Sequence, residues 1–389
     1  MNKTDILRFS NNGHKYPDWE NFTLGDIYTE RIEKGNESLP ILSVSIHDGV
    51  SDGELDEDEL GKKVRRSEDK TKYKKVKPGD LVFNMMRAWQ GAVGVVKTEG
   101  MISPAYIAAI PNEKVYPPFM DYYMRTGKMI SVLNSQSYGV TDFRKRLYWD
   151  SFAGIECVLP SIDEQKKLYS FFELIDSQID TIKEQIDNIK QQRSYCAQKV
   201  LSGETRFTSG TATFPDWDQV VLGDLCADNI IEMKRGKVIP KQTGQYPVYS
   251  SASTNNGLFC YSDDYMFDEE LVTWSIDGGG RAFYRPKHKF SVTNVCGYIR
   301  VKDHEKINCR YLAYAVDYVH SKMNFDYMTK ALPTAIENID ILPIPCLDEQ
   351  IRISDFLKSF DDAILVKEEI LTSWETIKTG FMQKMLPCR

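Results

Sequence analysis

The sequence Pro-Ser-Ile-Asp-Glu-Gln at residues 160–165 recurs as Pro-Cys-Leu-Asp-Glu-Gln at residues 345–350, an offset of 185 residues. Each copy starts with a proline, which disfavours helical structure in the residue before it. Each continues with acidic residues, which suit the positive N-terminal end of a helix. Ser161 or Asp163 can cap the first of these helices. The two copies therefore predict two helices that begin in the same way.

The residues that follow each start carry an apolar pattern typical of a coiled coil. The steps between apolar positions alternate between four and three residues, as the a and d positions of a heptad do. The first pattern runs to Gly203, a natural helix stop, and predicts a helix of about 40 residues, or about 60 Å. Lys367 interrupts the second pattern, and Arg193 and Lys378 add a basic residue at equivalent points. The predicted seam residues are Leu168, Phe172, Ile175, Ile179, Ile182, Ile186 and Ile189 in the first helix, and Ile353, Leu357, Phe360, Ile364, Leu371, Trp374 and Phe381 in the second.

A duplication explains both helices, because further motifs recur in the same order. The opening motifs of the two halves are 198 residues apart and the closing motifs are 185 apart, so the first half carries 13 more residues between them. Two copies are too few for a solenoid and indicate a pseudo-dimer within one chain. The alternative is that each long helix packs only on its own domain. The recurring motifs are Tyr-Pro-Asp-Trp at 16–19 with Phe-Pro-Asp-Trp at 214–217, Leu-Gly-Asp at 24–26 and 222–224, and Gln-Lys-Val-Leu at 198–201 with Gln-Lys-Met-Leu at 383–386.

The segments between the matched motifs differ from each other, and each reads as short strands followed by a helix. Residues 39–45 alternate between apolar and polar side chains as a strand does, and residues 81–83 and 271–274 are short apolar runs. A helix then follows in each half, beginning near Pro118 and Arg310. Strands followed by helices predict an α+β plan for each half.

We therefore predict an α+β fold, with two mixed α/β domains joined by two long antiparallel coiled-coil helices and a pseudo-two-fold internal repeat. Helices that pair seam against seam would hold the two domains at opposite ends of a rod. The predicted divisions are a first variable domain at residues 1–160, a central coiled-coil helix at 161–205, a second variable domain at 206–344 and a C-terminal coiled-coil helix at 345–389.

The composition is that of an ordinary globular protein. The 389 residues are 42% hydrophobic and 27% charged, which excludes a disordered or collagen-like chain. No apolar run approaches the roughly 18 residues that span a bilayer, and the first residues lack the apolar core of a signal peptide. The eight cysteines form no Cys-x-x-Cys pair, and the five histidines show no metal-ligand spacing. We expect a cytoplasmic protein without membrane contact, structural zinc or another bound metal.

Charge is segregated along the chain, although its sum is −7. This acidic sum argues against a protein that coats nucleic acid non-specifically, but it leaves a sequence-specific DNA reader open. Residues 52–59 hold six acids, and residues 62–77 hold nine bases. The basic stretch fits contact with phosphate groups and a solvated loop equally well.

Three motifs resemble enzyme signatures; two of them lack a required part, and the third is better explained by the internal repeat. Residues 115–119 contain the Pro-Pro of an amino-methyltransferase loop, but a tyrosine stands where an amide or carboxylate is needed. Three glycines at 278–280 lack the strand-to-helix setting of a nucleotide site. A Pro-Asp pair at 215–216 with Glu232 and Lys234 matches a nuclease metal motif, yet the first copy of this Pro-Asp pair has no such partners. We predict a non-catalytic protein, with a standalone magnesium nuclease as an alternative.

Over its full length the chain resembles the specificity subunit of type I restriction–modification enzymes. The resemblance is carried by the duplicated Leu-Gly-Asp openings, the Asp-Glu-Gln helix starts and the heptad helices that end in Gln-Lys-Val-Leu and Gln-Lys-Met-Leu. Residues 77–87 resemble one class of that family's target-recognition domains, and residues 246–251 with 290–294 resemble another. The second copy departs from the pattern because it stops at Arg389, shortly after its last seam residue.

The resemblance implies that each variable domain is a target-recognition domain that reads one half of a bipartite, asymmetric site in double-stranded DNA. It further implies that the helices form the spacer and dock two methyltransferase subunits, and that restriction (helicase-nuclease) subunits join this core. Those partner subunits are expected to use S-adenosylmethionine, ATP and magnesium, whereas this chain binds no cofactor. The alternative is a coiled-coil scaffold protein without sequence-specific DNA binding.

The candidate DNA contacts are polar residues in the two variable middles, the unlike segments that lie between the matched motifs of each half. Arginine and lysine bind phosphates and guanine edges, and asparagine and glutamine pair with adenine. Any one of these residues can instead be a solvated surface residue. The candidates are Arg87, Gln90, Tyr138, Thr141, Arg144 and Lys145 in the first domain, and Lys234, Arg235, Ser250, Ser251, Asn255, Asn256, Arg281 and Lys330 in the second.

Overall fold

Contacts between residues divide the chain into two compact units. Unit 1 contains residues 1–183 and 370–389, and unit 2 contains residues 184–369. Each unit thus combines one variable middle with parts of both long helices, whereas the division predicted from the sequence follows chain order. The computed structural model describes residues 7–11, 13–36, 38–53, 72–139, 144–209, 212–252, 255–277, 279–323, 325, 330–339 and 341–386.

Unit 1 mixes short strands with helices, as the sequence predicts. Its helices are α1 (Leu24–Ile27), α2 (Pro117–Met124), α3 (Gly127–Ser135), α4 (Trp149–Ala153) and the first part of α5 (Ile162–Leu201). Its strands are β1 (Ser10–Asn11), β2 (His14–Lys15), β3 (Glu20–Thr23), β4 (Tyr28–Glu30), β5 (Val44–Ser45), β6 (Gly49–Val50), β7 (Lys74–Val76), β8 (Leu81–Asn84), β9 (Val93–Val95), β10 (Gly100–Ile102), β11 (Tyr106–Pro111) and β12 (Glu156–Leu159).

An antiparallel sheet in the order β4-β11-β8-β9 forms the centre of unit 1. All four residues of β8 are buried, as expected for a short apolar strand covered on both faces. Helix α2 begins with Pro117, whose fixed φ suits the first turn of a helix. Its side chains Phe119 and Tyr123 are fully buried in the same core. Burying each such ring contributes about 2–3 kcal/mol, which fastens α2 to the sheet.

Unit 2 holds the other variable middle. Its helices are α6 (Leu222–Ala227), α7 (Cys309–His320), α8 (Pro333–Ile339) and the first part of α9 (Leu347–Met385). Its strands are β13 (Thr208–Ser209), β14 (Ala212–Thr213), β15 (Asp218–Val221), β16 (Ile231–Arg235), β17 (Tyr246–Tyr249), β18 (Leu258–Ser262), β19 (Phe267–Ser275), β20 (Ala282–Val292), β21 (Cys296–Val301) and β22 (Ile341–Ile344).

A six-stranded sheet in the order β16-β21-β19-β20-β17-β18 forms the centre of unit 2. Its pairs are antiparallel except β17 with β20, which are parallel. On one face Val272 and Trp274 pack with the buried side of α7. On the other face Leu271, Phe290 and Val292 form a separate apolar cluster. Both faces of this sheet are therefore covered in its middle strands.

The repeated Leu-Gly-Asp motif forms the short helices α1 and α6, and each packs on a second short helix. A Cβ on Gly25 would lie 3.1 Å from the Ala153 carbonyl oxygen on α4, and one on Gly223 would lie 2.7 Å from the Glu337 carbonyl oxygen on α8. A side chain at Gly223 would therefore force the backbone of α8 to move, and one at Gly25 would be tightly packed against α4. In unit 1, Thr23 and the aspartate of the motif also form a capping box.

In unit 1, part of α5 runs antiparallel to the end of α9. The rings of Phe171 and Phe381 lie 5.1 Å apart, and Asp176 Oδ1 lies 2.5 Å from Lys378 Nζ. As the residue number increases along α5, the number of the contacting residue on α9 decreases, so the two segments are antiparallel. Packing between these segments joins residues that are far apart in sequence.

In unit 2, the remainder of α5 contacts the beginning of α9. Arg193 Nε lies 2.6 Å from Asp361 Oδ1, and Lys190 Nζ lies 2.8 Å from Glu368 Oε1. The order is again opposite, so these two segments are also antiparallel. Helix α5 ends just before Gly203, whose φ of 76° is left-handed, and this confirms the predicted stop.

All of the predicted seam residues are buried or half-buried. Lys367, which interrupts the second seam, donates to Gln185 Oε1 at 2.8 Å. Ser161 does not act as a side-chain cap, because its buried hydroxyl has no hydrogen-bond partner. The buried seam residues are Leu168, Phe172, Ile175, Ile179, Ile182, Ile186, Ile353 and Leu357, and the half-buried ones are Ile189, Phe360, Ile364, Leu371, Trp374 and Phe381.

The mixed α+β composition predicted from the sequence is confirmed, while several element lengths differ. Only Val44–Ser45 of the predicted strand at 39–45 pairs as a strand, within a short hairpin. Strand β19, with nine residues, is longer than the strand predicted at 271–274. Among the helices described, none is both long and apolar enough to cross a membrane.

Candidate functional site

A buried glutamate at the start of α5 fastens this helix to the opening segment of unit 1. The Glu164 side chain is fully buried. Arg8 donates to its carboxylate from Nε at 2.9 Å and Nη2 at 2.6 Å, and Trp19 Nε1 donates at 3.2 Å. Arg8 Nη2 also donates to the Pro17 carbonyl oxygen at 2.6 Å. A buried carboxylate is tolerated when charge-assisted hydrogen bonds satisfy it in this way.

The same cluster recurs in unit 2 at the offsets of the sequence repeat. Arg206 donates to the buried Glu349 carboxylate at 3.2 and 2.7 Å, and Trp217 Nε1 donates at 2.8 Å. Arg206 also donates to the Pro215 carbonyl oxygen at 2.5 Å. The hydrogen bond to glutamate raises the pKa of the arginine in both clusters. The repeated Pro-Asp-Trp motif therefore belongs to a structural anchor.

The glutamine after each glutamate ties the long helix to the variable middle. In unit 1, Gln165 Nε2 donates to the carbonyl oxygens of Lys114 and Pro160, both at 2.9 Å, and its Oε1 accepts from Tyr116 N at 2.8 Å. These bonds hold the chain just before α2 against the start of α5. Each anchor also includes a strand pair: β3 with β12 in unit 1 and β15 with β22 in unit 2.

Gln350 makes the equivalent bonds in unit 2. Its Nε2 donates to Lys306 O at 2.9 Å and Pro345 O at 2.8 Å, and its Oε1 accepts from Asn308 N at 2.9 Å. Asn308 is also the N-cap of α7, accepting from Tyr311 N. The Glu-Gln pair at the start of each long helix is thus a frame that positions α2 in unit 1 and α7 in unit 2.

A second repeated cluster joins α2 in unit 1, and α7 in unit 2, to the antiparallel segments of α5 and α9. In unit 1, the Tyr122 hydroxyl on α2 donates to Asp176 Oδ2 at 2.6 Å, and Lys378 pairs with the other carboxylate oxygen at 2.5 Å. Lys378 Nζ also lies 5.4 Å from the Tyr122 ring centroid. Burial and this carboxylate raise the pKa of the tyrosine, which keeps its hydroxyl protonated as a donor.

In unit 2, the corresponding residues are Tyr314, Asp361 and Arg193. The Tyr314 hydroxyl on α7 donates to Asp361 Oδ2 at 2.5 Å, and Arg193 Nε donates to Oδ1 at 2.6 Å. The Arg193 guanidinium lies 5.6 Å from the Tyr314 ring centroid. The basic seam residues Arg193 and Lys378 therefore belong to polar clusters that fasten α7 and α2 to the antiparallel segments of α5 and α9.

In unit 1, the structure brings several candidate DNA contacts to neighbouring loops. Arg87 and Gln90 are exposed on the short turn after β8, and Tyr138 is 59% exposed. The Tyr138 backbone pairs with Arg146, and the next residue, Leu147, donates its backbone N–H to the Met85 carbonyl oxygen at 2.9 Å. This bond places the Tyr138–Arg146 bridge beside the turn.

The remaining candidates of unit 1 belong to the same chain segment. Arg144 is exposed, and Lys145 Nζ donates to Asn134 Oδ1 at 3.2 Å. Thr141 lies outside the described residues. Of the basic stretch at 62–77, only residues 72–77 are described. There Lys75 pairs with Glu99 at 2.9 Å and Lys77 with Glu33 at 3.6 Å, which reduces the charge available to phosphate.

Most cationic candidates of unit 2 are engaged within the protein. Lys234 pairs with Glu232 at 2.5 Å, and Lys330 with Asp277 at 3.0 Å. Arg281 forms a bidentate pair with Asp317, at 2.8 and 3.1 Å. Arg235 donates to the Asn294 carbonyl oxygen, at 3.1 and 2.7 Å. Of these four cations, only Arg235 has no carboxylate partner among the residues that the structure describes, and contact with DNA stays a prediction for all four.

The other candidates of unit 2 lie on the loop between β17 and β18. The Ser250 backbone N–H donates to the Gly257 carbonyl oxygen at 2.8 Å, and Ser275 Oγ donates to the Ser251 carbonyl oxygen at 2.8 Å. Asn255 and Asn256 are exposed, with left-handed φ values of 47° and 50°. Arg285 lies beneath this loop; sequence reasoning missed it because nothing in a local pattern shows that an arginine in a strand is buried.

The glutamate of the nuclease-like motif is engaged in ion pairs. Glu232 pairs with Arg300 at 2.5 Å as well as with Lys234, and these hydrogen bonds lower the pKa of its carboxyl group. Asp216 is fully exposed and lies 3.8 Å from Arg206. Within the described part of the chain, no three His, Cys, Asp or Glu side chains are grouped so that they could hold a metal ion.

Comparison with known proteins by sequence finds type I specificity subunits. Residues 215–375 match the family model described as the type I restriction modification DNA specificity domain. A putative type I specificity subunit from Mycoplasma pneumoniae is 36% identical over 145 residues, which is 34% of this chain and 38% of that protein. The putative type I restriction enzyme MjaX specificity subunit of Methanocaldococcus jannaschii is 23% identical over 417 residues, covering 95% of this chain and 93% of that protein.

Comparison by structure finds a similar fold over almost the whole chain. The crystal structure of a type I restriction–modification system S subunit from M. genitalium matches with a TM-score of 0.59 and 14% identity, over 99% of both chains. At this identity the likeness shows the fold alone. The match to the M. pneumoniae relatives covers between 38% and 58% of their lengths, less than two thirds in every case.

Proposed function

We infer that this chain is a type I restriction–modification specificity subunit, a non-catalytic subunit that recognises DNA sequence. One observation carries the proposal: the same buried frame occurs twice and holds two different middles. In each unit a glutamate anchors a long helix to an arginine and a tryptophan, and the next residue, a glutamine, bonds to the backbone ahead of α2 or α7. A duplicated frame with unlike exposed loops suits a protein that reads two unlike sequences.

The proposed target is a bipartite, asymmetric site in double-stranded DNA. A symmetric dimer reads two equal half-sites, because symmetry of the protein mirrors that of the site. Here unit 1 would read with loops around Arg87 and Tyr138, whereas unit 2 would read with the Ser250–Asn256 loop. Since these loops share neither sequence nor sheet, the two half-sites should be unlike.

We further propose that the antiparallel helix segments hold the spacing between half-sites and dock two methyltransferase subunits, with restriction subunits joining that core. The partners would supply the chemistry that uses S-adenosylmethionine, ATP and magnesium. The family resemblance supports this assignment of roles. Within the described residues, Glu232 of the candidate metal motif is paired with Lys234 and Arg300.

A domain exchange tests the reading model. Residues 210–340 are replaced by the corresponding middle of another specificity subunit, and methylated adenines are mapped in host DNA. We expect one half of the modified site to change while the other half and the adenine chemistry stay the same. A change in both halves, or in neither, would contradict independent reading by the two units.

A scaffold protein that binds only other proteins is the second candidate. The net charge of −7 and the carboxylate partners of Lys234, Arg281 and Lys330 favour it. Mobility-shift titration of the assembled methyltransferase complex separates the two functions. A preferred duplex over random DNA supports the specificity subunit, and equal binding of all duplexes supports the scaffold.

A further inference from the structure

The sheet of unit 2 holds a buried arginine without a carboxylate partner. Arg285 lies on β20 and is 1% exposed. Its Nε donates to Thr273 Oγ1 at 2.9 Å, but its Nη1 has no hydrogen-bond partner. The groups that influence its charge are Tyr249 and Cys296, neither of which is a carboxylate. Within the described part of unit 2, this guanidinium is therefore a positive charge that the fold leaves without a counter-ion.

Aromatic rings hold the guanidinium in place without neutralising it. Its central carbon lies 3.7 Å from the Tyr249 ring centroid and 4.9 Å from that of Phe283. Cation–π contacts of this kind recover about 2 kcal/mol when desolvated, which is less than the several kcal/mol that burial of a charge costs. Burial lowers the pKa of Arg285 to about 10, so the group remains charged at neutral pH.

The guanidinium points at the turn that carries two of the candidate DNA contacts. Asn255, Asn256 and Gly257 are consecutive left-handed residues, with φ values of 47°, 50° and 74°. A Cβ on Gly257 would lie 3.1 Å from Arg285 Nη2, so the turn lies directly over the charge. Both asparagines are exposed, whereas Gly257 is buried. The outer side of the turn is open to a ligand, and its inner side rests on the arginine.

We propose that Arg285 and the Asn255–Gly257 turn form an anion site that takes a phosphate group of the DNA backbone. This inference rests on the proposed function and adds the class of ligand, a phosphate group, that one loop would bind. The Ser250 hydroxyl oxygen accepts from Thr293 Oγ1 at 2.9 Å, which leaves its own proton for an anion. Because the charge lies in a low-dielectric interior, it attracts a phosphate on the turn more strongly than a solvated lysine would.

The site also differs in kind from the surface cations around it. Lys234, Arg281 and Lys330 each have a carboxylate partner, so a phosphate must compete with that partner. Arg285 has no carboxylate partner in the described part of unit 2, and a phosphate would complete its pairing. Such a contact fixes the position of the loop on the duplex without reading a base.

Two variants of the full chain, in complex with its methyltransferase subunits, test the site. Arg285→Met removes the charge and keeps an unbranched apolar side chain, and Arg285→Lys keeps the charge. Affinity for a cognate and a random duplex is measured across a range of salt concentrations. We expect Arg285→Met to weaken both affinities and to reduce the slope of log affinity against log salt by about 0.9, the value for one lost phosphate contact. Arg285→Lys should keep the wild-type slope.

The melting temperature of the DNA-free complex distinguishes binding from a structural role. Removing a buried charge without a counter-ion should leave the melting temperature unchanged or raise it. A wild-type slope in Arg285→Met would overturn the site, and so would a lower melting temperature combined with loss of sequence preference. If the wild-type complex prefers no duplex over random DNA, the proposed function fails instead, while the slope on random DNA still tests the site.

Inorganic phosphate at constant ionic strength separates the two sources of the anion. We expect added phosphate to weaken DNA binding by the wild type more than by Arg285→Met. If phosphate raises the melting temperature of the wild type while both proteins show the same salt slope on DNA, the ligand is a free anion. That outcome would overturn the assignment to the DNA backbone.

Discussion

Units 1 and 2 agree in their buried polar contacts and differ in their exposed loops. Glu164 and Glu349 have the same set of partners, and Asp176 and Asp361 each accept from a tyrosine and a cation. The sheets that these contacts hold differ, with four strands in unit 1 and six in unit 2. A buried charge needs partners in fixed positions, whereas an exposed loop is free to change. The buried frame is therefore the same in both units, whereas the exposed loops that it holds differ.

The largest effect should follow from removing the buried carboxylates. In Glu164→Gln or Glu349→Gln, the arginine loses its ion pair and a buried amide replaces the charge. Since each arginine is partly exposed, we expect a loss of about 2 kcal/mol in either variant. This loss corresponds to a melting temperature about 5 °C lower. The exposed Glu184→Gln serves as control and should change stability by less than about 0.5 kcal/mol. Losses that differ by more than about 1 kcal/mol would show that the two frames are not equivalent.

Independent reading by the two units is tested by one substitution in each. Arg87→Ala should weaken binding about tenfold or more, through one half-site only, and Asn256→Ala should do so through the other, because a bidentate base contact contributes about 1–3 kcal/mol. Binding is measured with duplexes altered in one half at a time. Lys128→Ala, on an exposed position of α3, is the surface control. If Arg87→Ala altered preference in both halves, the units could not be separate readers.

A smaller effect is expected at the cations of the tyrosine–aspartate clusters. Lys378→Met in unit 1 and Arg193→Met in unit 2 should each lower stability by about 1 kcal/mol, since both ion pairs are partly exposed. A double-mutant cycle of Lys378→Met with Asp176→Asn should give a coupling of about 0.5–1 kcal/mol in chemical denaturation. The exchange of Arg193→Lys with Lys378→Arg should be nearly neutral. A coupling energy near zero would show that Lys378 and Asp176 lie close together without stabilising the fold.

The smallest effect concerns stability at alkaline pH. Tyr169 donates to Glu173 at 2.5 Å and Tyr284 donates to Glu270 at 2.7 Å; burial and these bonds raise the pKa of each tyrosine to about 12. An unfolded tyrosine loses its proton near about pH 10. Between about pH 10 and 12 the unfolded state therefore binds fewer protons than the folded state, so stability falls as pH rises. Tyr169→Phe and Tyr284→Phe should each make the melting temperature less dependent on pH in this window. An unchanged dependence in both would contradict the assignment.

Local patterns predicted where the long helices start and stop, but they did not predict the contacts that the candidate site residues make within the protein. The heptad spacing is a property of the sequence itself, so Ile175 and Leu357 could be placed on the contact face before any coordinates were known. The partners of Arg281 could not be predicted, because Asp317 lies 36 residues further along the chain. Arg285 was missed for the same reason, since burial of a strand residue depends on neighbours that no local window contains.

By itself, the sequence determined that the chain is duplicated, where its long helices start and stop, and which family it resembles. These conclusions depend on short-range periodicity, capping residues and repeated motifs, all of which are local. Only the tertiary structure decided that Glu164 and Glu349 are buried anchors and that the cations of unit 2 are largely paired. It also decided that Arg285 lies under the Asn255–Gly257 turn with no counter-ion among the described residues. The physical reason is that hydrogen bonding, burial and charge compensation join residues that are distant along the chain, and they take effect only when the chain is folded.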